Sequence, residues 1–275
     1  MGNGKILFVN QETTPFSPES ENAAIGRLLP AFTQDHGKEI RVFMPRFHCI
    51  NERKNQLHEV IRLSGINLIV NNCDHQLIIK VGSIPSARMQ VYFIDNEEYF
   101  TKRGVYTDEN GEFYADNDER ILFFGRGTLE AVRKLAWQPN LIHFTGWFSC
   151  MIPFYMRRIN KENSFFNNTK TVFSITDDLF EGTFCPELEK KLKTDGATQK
   201  DLRLFQSLDY RTLVKAAITY ANGVVIASPN ADPEIVAFAK ENKNHVIDYN
   251  SDRNEYFGKI NKLYDSIIGN SKNND

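Results

Sequence analysis

The segment Leu141–Tyr155 combines residue types that could contact a ligand. Its sequence is Leu-Ile-His-Phe-Thr-Gly-Trp-Phe-Ser-Cys-Met-Ile-Pro-Phe-Tyr, in which an apolar pair leads into a polar turn. In an open α/β sheet such a turn follows the carboxyl end of a strand, where ligands bind. His143 is then either a ligand contact or a histidine of the core or turn. Trp147 is either a platform for a sugar ring or an anchor for helix packing.

Asp177 and Asp178 form a second pattern with chemical potential. Two acids at a strand end can hold a metal or exchange a proton. The alternative is a helix N-cap, and adjacent acids in an extended strand would face opposite sides. The cysteines form no CxxC pair and no Ser/His/Asp arrangement is present, so we predict neither a metal site nor a cofactor. The cysteines are Cys49, Cys73, Cys150 and Cys185.

These residues must be positioned by strands that alternate with helices along the whole chain. Strands are predicted at Lys5–Asn10, Glu39–Met44, Leu141–Phe144, Thr171–Ile175 and Gly223–Ala227, and a β-rich patch at Glu59–Leu63, Asn67–Val70, Gln76–Val81 and Met89–Ile94. Helices are predicted at Ala23–Asp35 with Asn22 as N-cap and Pro30 as an interruption, from an N-cap at Asn117 or Asp118 through Lys134, and at Cys150–Ile159, Asp201–Tyr220, Asp232–Glu241 and Glu255–Ile268.

The fold class that follows is α/β, a single Rossmann-like, doubly wound and mostly parallel sheet with a small β-rich insertion. One domain over residues 1–275 is expected, with a frayed tail over 269–275. Parallel strands end at one side of a sheet, which we call the carboxyl edge. The strand ends at Asn10, Met44, Phe144, Ile175 and Ala227 should therefore meet there.

Composition narrows the classes of function. The chain has 275 residues and a net charge of −2, so no basic excess argues for nucleic acid. No apolar run approaches the roughly 20 residues of a membrane helix. The polar start leads directly into a strand without a signal-peptide pattern. A cytoplasmic protein with reduced thiols is the expectation.

The order of motifs resembles the bacterial glycogen and starch synthases, glycosyltransferase family 5. The matching motifs are Lys5-Ile-Leu-Phe-Val-Asn-Gln-Glu-Thr-Thr-Pro-Phe, Ile40-Arg-Val-Phe-Met-Pro-Arg-Phe, Gly104-Val-Tyr, Tyr114-Ala-Asp-Asn-Asp-Glu-Arg, Trp137-Gln-Pro-Asn-Leu-Ile-His, Phe180-Glu-Gly and Ala227-Ser-Pro. Single matches are weak, but their common order indicates a common fold. The resemblance implies the first half of a GT-B glycosyltransferase, the N-terminal starch synthase catalytic domain.

The resemblance also implies an activity and a set of residues. The family transfers glucose from ADP-glucose, a sugar nucleotide, to an α-1,4-glucan without a metal. Its second half supplies the Arg/Lys pair and the Glu that hold the donor, and this chain covers only the first half. The implied substrate-binding candidates are Glu12, Pro15, Phe16, Asp116, Asn117, His143, Trp147, Thr176 and Glu181, whereas the catalytic residues are unknown.

Several family positions carry different residues here. In the donor loop Pro18 stands for Lys, Ser20 and Glu21 for a Gly pair and Ala24 for Asp. In the family pattern His-Ala-His-Asp-Trp-His, Thr145, Gly146 and Phe148 replace the polar residues. Proline removes an N–H donor, and glutamates add negative charge where a diphosphate would bind. These changes predict weak or absent glucose transfer by the isolated half.

Two alternatives to a transferase domain stay open. The chain could be a non-catalytic module that binds a glucan or a partner protein, or one half of a split enzyme completed in trans. If the family's cleft-facing surface is exposed here, its aromatic residues should form an interface. We therefore expect a homodimer or a partner protein on a surface that includes Phe16, Trp147, Phe148 and Phe184.

Overall fold

In the computed structural model, which describes residues 4–159 and 164–269, apolar strands form the centre of one sheet. The strands are β1 Lys5–Asn10, β2 Glu39–Pro45, β3 His58–Glu59, β4 Ile66–Val70, β5 Cys73–Ile84, β6 Met89–Asp95, β7 Leu141–Thr145, β8 Lys170–Ile175, β9 Gly223–Ile226 and β10 Val246–Ile247. The helices are α1 Glu21–Asp35, α2 Asn117–Lys134, α3 Met151–Phe154, α4 Leu188–Thr194, α5 Gln199–Leu202, α6 Tyr210–Tyr220, α7 Pro233–Asn242 and α8 Arg253–Gly269.

The strand order is β10-β9-β8-β7-β1-β2-β6-β5-β3, and β4 pairs with β5. Neighbouring strands from β10 to β6 are parallel. The β-rich insertion is antiparallel, because β3, β4 and β6 all pair with β5 in that sense. The order reverses at β1, which lies between β2 and β7, and a crevice for ligands is expected at such a switch point. The predicted α/β fold class is confirmed.

Both faces of the sheet are covered, as the continuous apolar run of β1 predicts. Ile6 and Phe8 pack on one face against a cluster that includes residues of α1 and α8. Leu7 and Val9 pack on the other face against residues of α2, α3 and α6. Because the strands are parallel, their carboxyl ends meet at one edge, as predicted. The edge therefore collects the loops that follow β1, β7, β8 and β9.

Two details predicted for α1 are wrong. The N-cap is Ser20, not Asn22, because the Ser20 side chain accepts a hydrogen bond from the Ala23 amide. Pro30 does not interrupt α1, although it cannot donate to the carbonyl of Gly26 four residues earlier. The side-chain amide of Asn10 donates to that carbonyl at 2.9 Å instead. A residue of β1 therefore satisfies the acceptor that the proline leaves open.

Other predicted bounds are also corrected. The N-cap of α2 is Asp116, so Asn117 and Asp118 lie inside the helix. The strand at 59–63 is reduced to β3, since the chain turns after Glu59 and the Leu63 amide donates to the carbonyl of Val60. The helix predicted over 201–220 is broken by Leu208 with φ +51°, after which Asp209 caps α6. Residues 270–275 of the predicted frayed tail lie outside the described residues. No helix among those described is long and apolar enough to span a membrane.

Candidate active site

The carboxyl edge brings Glu12, after β1, and Asp177, after β8, to the first turn of α1. Ser20 caps the helix and its hydroxyl donates to Glu12 Oε2 at 2.8 Å. Asn22 Nδ2 donates to Asp177 Oδ1 at 3.0 Å. The amino end of a helix attracts negative charge. Here the protein's own carboxylates lie close to the helix end that would otherwise favour a phosphate.

Three carboxylates at this edge interact electrostatically. The pKa of Glu12 is raised mainly because the side chain is partly buried, and the charges of Asp178 and Asp177 raise it further. The hydrogen bond from Ser20 acts in the opposite direction. The edge is thus already crowded with negative charge, and an additional anion such as a diphosphate would be repelled.

Asp178 and Asp177 do not act as a pair, because they bind different partners. Asp178 Oδ1 accepts from the hydroxyls of Thr176 at 2.5 Å and Tyr210 at 2.7 Å, and burial raises its pKa. Asp177 Oδ2 accepts from the hydroxyl of Ser228 at 2.8 Å. Within residues 4–159 and 164–269, no three His, Cys, Asp or Glu side chains are arranged to hold a metal ion.

The turn after β7 requires the glycine that replaces a family aspartate. Gly146 has φ +84°, and a Cβ atom there would lie 2.6 Å from the Cβ of Gln11. The Gln11 side chain instead accepts a hydrogen bond from the Phe148 amide at 3.2 Å. Thr145, at the end of β7, is 7% exposed. This turn is therefore packed against the loop after β1.

The expected surface of exposed aromatic residues is wrong. The exposed fractions are 4% for Phe16, 0% for Trp147, 0% for Phe148 and 2% for Phe184. Phe16 packs edge-on against Phe93, with the ring centroids 5.0 Å apart. The aromatic rings near β7 and β8 cover one another. The argument for a homodimer or a docked partner on this surface therefore loses its basis.

His143 lies in the interior rather than at the carboxyl edge. Its Nδ1 is 2.5 Å from the Tyr264 hydroxyl and its Nε2 is 2.6 Å from the Ser174 hydroxyl. Burial lowers the pKa of His143 to about 3, so the ring is neutral near pH 7. Both nitrogens bind side chains of the core, which supports the core interpretation over the ligand contact.

Asp116 and Asn117 organise the loop that precedes α2. Asp116 forms an ion pair with Arg103 at 2.6 Å. Asn117 Nδ2 donates to the carbonyl of Tyr106 at 2.8 Å, and its Oδ1 accepts from the buried Arg120 at 2.7 Å. These contacts fix the backbone of the loop and account for both side chains without a substrate.

The remaining candidates lie at the surface or are only partly buried. Pro15, Pro18, Glu21 and Glu181 are exposed, and Ala24 is half-buried. Glu21 forms an ion pair with Arg253 of α8 at 2.7 Å. Among the predicted residues, Glu12, Ser20 and Thr176 therefore lie together with Asp177 and Asp178. Trp147 is connected to them, because its backbone amide donates a hydrogen bond to Asp178 Oδ2 at 3.2 Å.

Sequence reasoning missed Gln11, Tyr210 and Ser228. Gln11 and Ser228 come just after strands that were predicted correctly, so their position at strand ends was an available signal. Tyr210 had no such signal, because it lay inside a stretch predicted as one helix. Its contact with Asp178 depends on the break at Leu208.

A doubly wound parallel sheet with polar side chains at the carboxyl edge defines a ligand-binding α/β domain. Residues 5–248 match the family model of the starch synthase catalytic domain. The chain therefore belongs to the glycogen and starch synthase family. Its sequence is 35% identical to the glycogen synthase of Chlorobium limicola over 191 residues, which is 69% of this chain and 39% of the relative.

Two further comparisons agree. The glycogen synthase of Chlorobium phaeovibrioides is 31% identical over 239 residues, 86% of this chain and 48% of the relative. The catalytic domain of starch synthase IV from Arabidopsis thaliana, solved with ADP and acarbose, matches with a TM-score of 0.69 and 15% identity. That match covers 90% of this chain and 52% of the other, and it shows the fold. The chain matches less than half the length of each of the two glycogen synthases.

Proposed function

We propose that this chain is the glucan-facing half of a glucosyltransferase of the glycogen and starch synthase type, and that it does not transfer glucose by itself. Family membership over residues 5–248 supports an α-1,4-glucan and ADP-glucose as the substrate class. By the resemblance, the other half of the fold holds the donor nucleotide. Transfer therefore requires that second half, in the same or another chain.

The cluster of three carboxylates at the carboxyl edge is the observation that supports this proposal. Glu12, Asp177 and Asp178 lie close enough for their charges to interact. Two like charges about 4 Å apart repel by about 4 kcal/mol at an effective dielectric constant of about 20, so this group disfavours a diphosphate. Carboxylates accept strong hydrogen bonds from hydroxyl groups. The edge is therefore better suited to the hydroxyls of a glucan than to the phosphates of ADP-glucose.

Calorimetry with a maltooligosaccharide and with ADP-glucose tests the proposal. We expect the purified chain to bind the maltooligosaccharide and not ADP-glucose. Glu12→Gln should weaken glucan binding about tenfold, because a hydrogen bond to a charged acceptor contributes roughly 1–1.5 kcal/mol more than one to a neutral acceptor. The control is Glu189→Gln on α4, where the carboxylate pairs only with Lys193 among the contacts of the described residues.

Transfer of labelled glucose from ADP-glucose to the maltooligosaccharide is measured in parallel, with a full-length relative as the positive control. The chain alone should incorporate no label. Incorporation by the chain alone, abolished by Trp147→Ala, would show that it is a complete enzyme. Binding of neither ligand would refute the glucan-facing role and favour a module for a partner protein.

A further inference from the structure

Arg41 of β2 contacts two aromatic rings near the side of the sheet where the parallel strands begin, opposite the carboxyl edge. Its guanidinium carbon Cζ lies 5.1 Å from the ring centroid of Trp137 and 5.7 Å from that of Tyr92. Guanidinium groups are attracted to aromatic faces. Tyr92 is itself stacked on the buried ring of Phe43, with an angle of 13° between the ring planes. These rings hold the guanidinium of Arg41 in place.

Most hydrogen-bond donors of Arg41 remain available. Nη1 donates to the Tyr92 hydroxyl at 3.0 Å, whereas a guanidinium has five N–H donors in a fixed plane. The neighbouring acid on the same strand, Glu39, accepts instead from the indole Nε1 of Trp137 at 2.5 Å. Arg41 is therefore a partly buried cation that forms no ion pair with any carboxylate of residues 4–159 and 164–269.

A cavity of about 360 Å³ lies beside Arg41, at the amino ends of β2 and β6. Its charged lining residues are Arg41, Arg88 and Glu39, so two positive charges and one negative charge give a net charge of +1. Gln34 and Gln90 add side-chain amides that can donate hydrogen bonds. The volume falls in the range of small-molecule sites, about 300–1,000 Å³. The cavity is thus suited to a small anion with a group attached to it.

Arg88 can turn toward such an anion at low cost. Its guanidinium pairs with Asp35 at 3.0 Å, but the two side chains are 78% and 62% exposed. Ion pairs between exposed side chains contribute little to stability, because water screens them. An anion in the cavity can therefore compete with Asp35 for Arg88, whereas Arg41 is already held in position.

We propose that this cavity binds a phosphate monoester, which is a small metabolite with a terminal phosphate group. Arg41 binds two phosphate oxygens through Nε and Nη2, because the planar fork of arginine matches phosphate geometry. Arg88 binds the third oxygen. A monoester carries about −1.5 to −2 charges at pH 7 and three terminal oxygens, whereas the diphosphate of ADP-glucose is esterified at both ends. The site lies opposite the carboxyl edge and does not rest on the proposed function.

Calorimetry at constant ionic strength tests the proposal with inorganic phosphate and glycerol phosphate as ligands. Both should bind to the purified chain, and dimethyl phosphate, a diester with one charge, should not. Arg41→Gln should weaken the binding of glycerol phosphate at least tenfold, because a charge-assisted pair of hydrogen bonds is lost. Arg41→Lys keeps the charge without the planar fork and should also weaken it several-fold.

The matched control is Arg62→Gln, which removes the same charge from an exposed arginine without a hydrogen bond or ion pair among the described residues. It should bind glycerol phosphate like the parent chain. Arg88→Gln should weaken binding several-fold, and because it changes an exposed side chain it tests the site even if Arg41→Gln does not fold. Thermal unfolding checks that each variant is folded.

Two results would overturn the proposal. The first is that neither phosphate compound binds to the parent chain at millimolar concentration. The second is that Arg62→Gln weakens binding as much as Arg41→Gln and Arg88→Gln do, because phosphate would then respond only to net charge. Binding of a maltooligosaccharide should be the same in Arg88→Gln as in the parent. Failure of the parent to bind that sugar would refute the proposed function and leave the phosphate site intact.

Discussion

Gly26 controls how closely α1 approaches the loop that carries Glu12. A Cβ atom at this position would lie 2.3 Å from the carbonyl oxygen of Glu12, 3.1 Å from Thr13 Oγ1 and 3.3 Å from Asn10 Nδ2. The first contact is to backbone, so a small rotation of a side chain cannot relieve it. Gly26→Ala must displace either the helix or the loop after β1.

The size of the effect follows from two opposing contributions. Extra atoms in a packed interior typically cost about 1–3 kcal/mol. Alanine is favoured over glycine inside a helix by about 0.5–1 kcal/mol. We therefore expect Gly26→Ala to destabilise the fold by about 1–2 kcal/mol, which lowers the Tm by a few degrees in a chain of about this size. Displacement of Glu12 should also weaken maltooligosaccharide binding.

The control is Gly258→Ala within α8, where a Cβ atom would meet nothing within 4 Å. It should stabilise the protein by about 0.4–1 kcal/mol, because alanine reduces the freedom of the unfolded chain. Urea unfolding and calorimetry measure both variants. If Gly26→Ala is as stable as the wild type or more so, the close approach of α1 to Glu12 does not exist as described.

Two further predictions concern buried ionisable groups. The pKa of His143 is lowered to about 3, so between about pH 6 and pH 4 the unfolded chain binds a proton that the folded chain does not. The free energy of unfolding should therefore decrease as the pH is lowered through this window, by up to about 1.4 kcal/mol per pH unit. Urea unfolding at several pH values should show a smaller dependence on pH for His143→Gln. Lys191 pairs with Asp118 at 2.6 Å and Glu119 at 2.8 Å in the interior; Lys191→Met should cost about 3–5 kcal/mol in urea unfolding, and a loss below about 1 kcal/mol would contradict this account of the pair.

The fold was predictable because its signals are local. The run Ile6-Leu7-Phe8-Val9 has no polar face, which requires a strand covered on both sides. The start of α7 was also predicted correctly, because the sequence has a capping aspartate, Asp232, followed by Pro233 at the first helical position. The effect of Pro30 was not predictable, because the compensating donor is Asn10, which lies 16 positions in sequence from the Gly26 carbonyl that it satisfies. Contacts of this kind depend on the tertiary arrangement.

The candidate site was predicted in its position but not in its burial. Glu12, Thr176 and Trp147 do belong to loops at the carboxyl edge. The folding of rings from the loop before α2 over Trp147 was not predictable, because Tyr106 and Phe113 lie in a segment without periodicity. Their ring centroids are 6.1 and 6.5 Å from that of Trp147. Covering Trp147 removes its apolar surface from water, which offsets part of the cost of ordering the loop.

The closed aromatic cluster changes the expectation for assembly. Exposed rings at the carboxyl edge would have made a partner necessary to cover them. Phe180 and Phe184 cover Trp147 within the chain, and the edge presents the carboxylates of Glu12 and Asp177 instead. Under the proposed function, a second half of the fold would meet a charged surface, which favours attraction by basic groups over burial of apolar area. Such an association should weaken as salt is added, whereas the homodimer first expected from exposed rings would not.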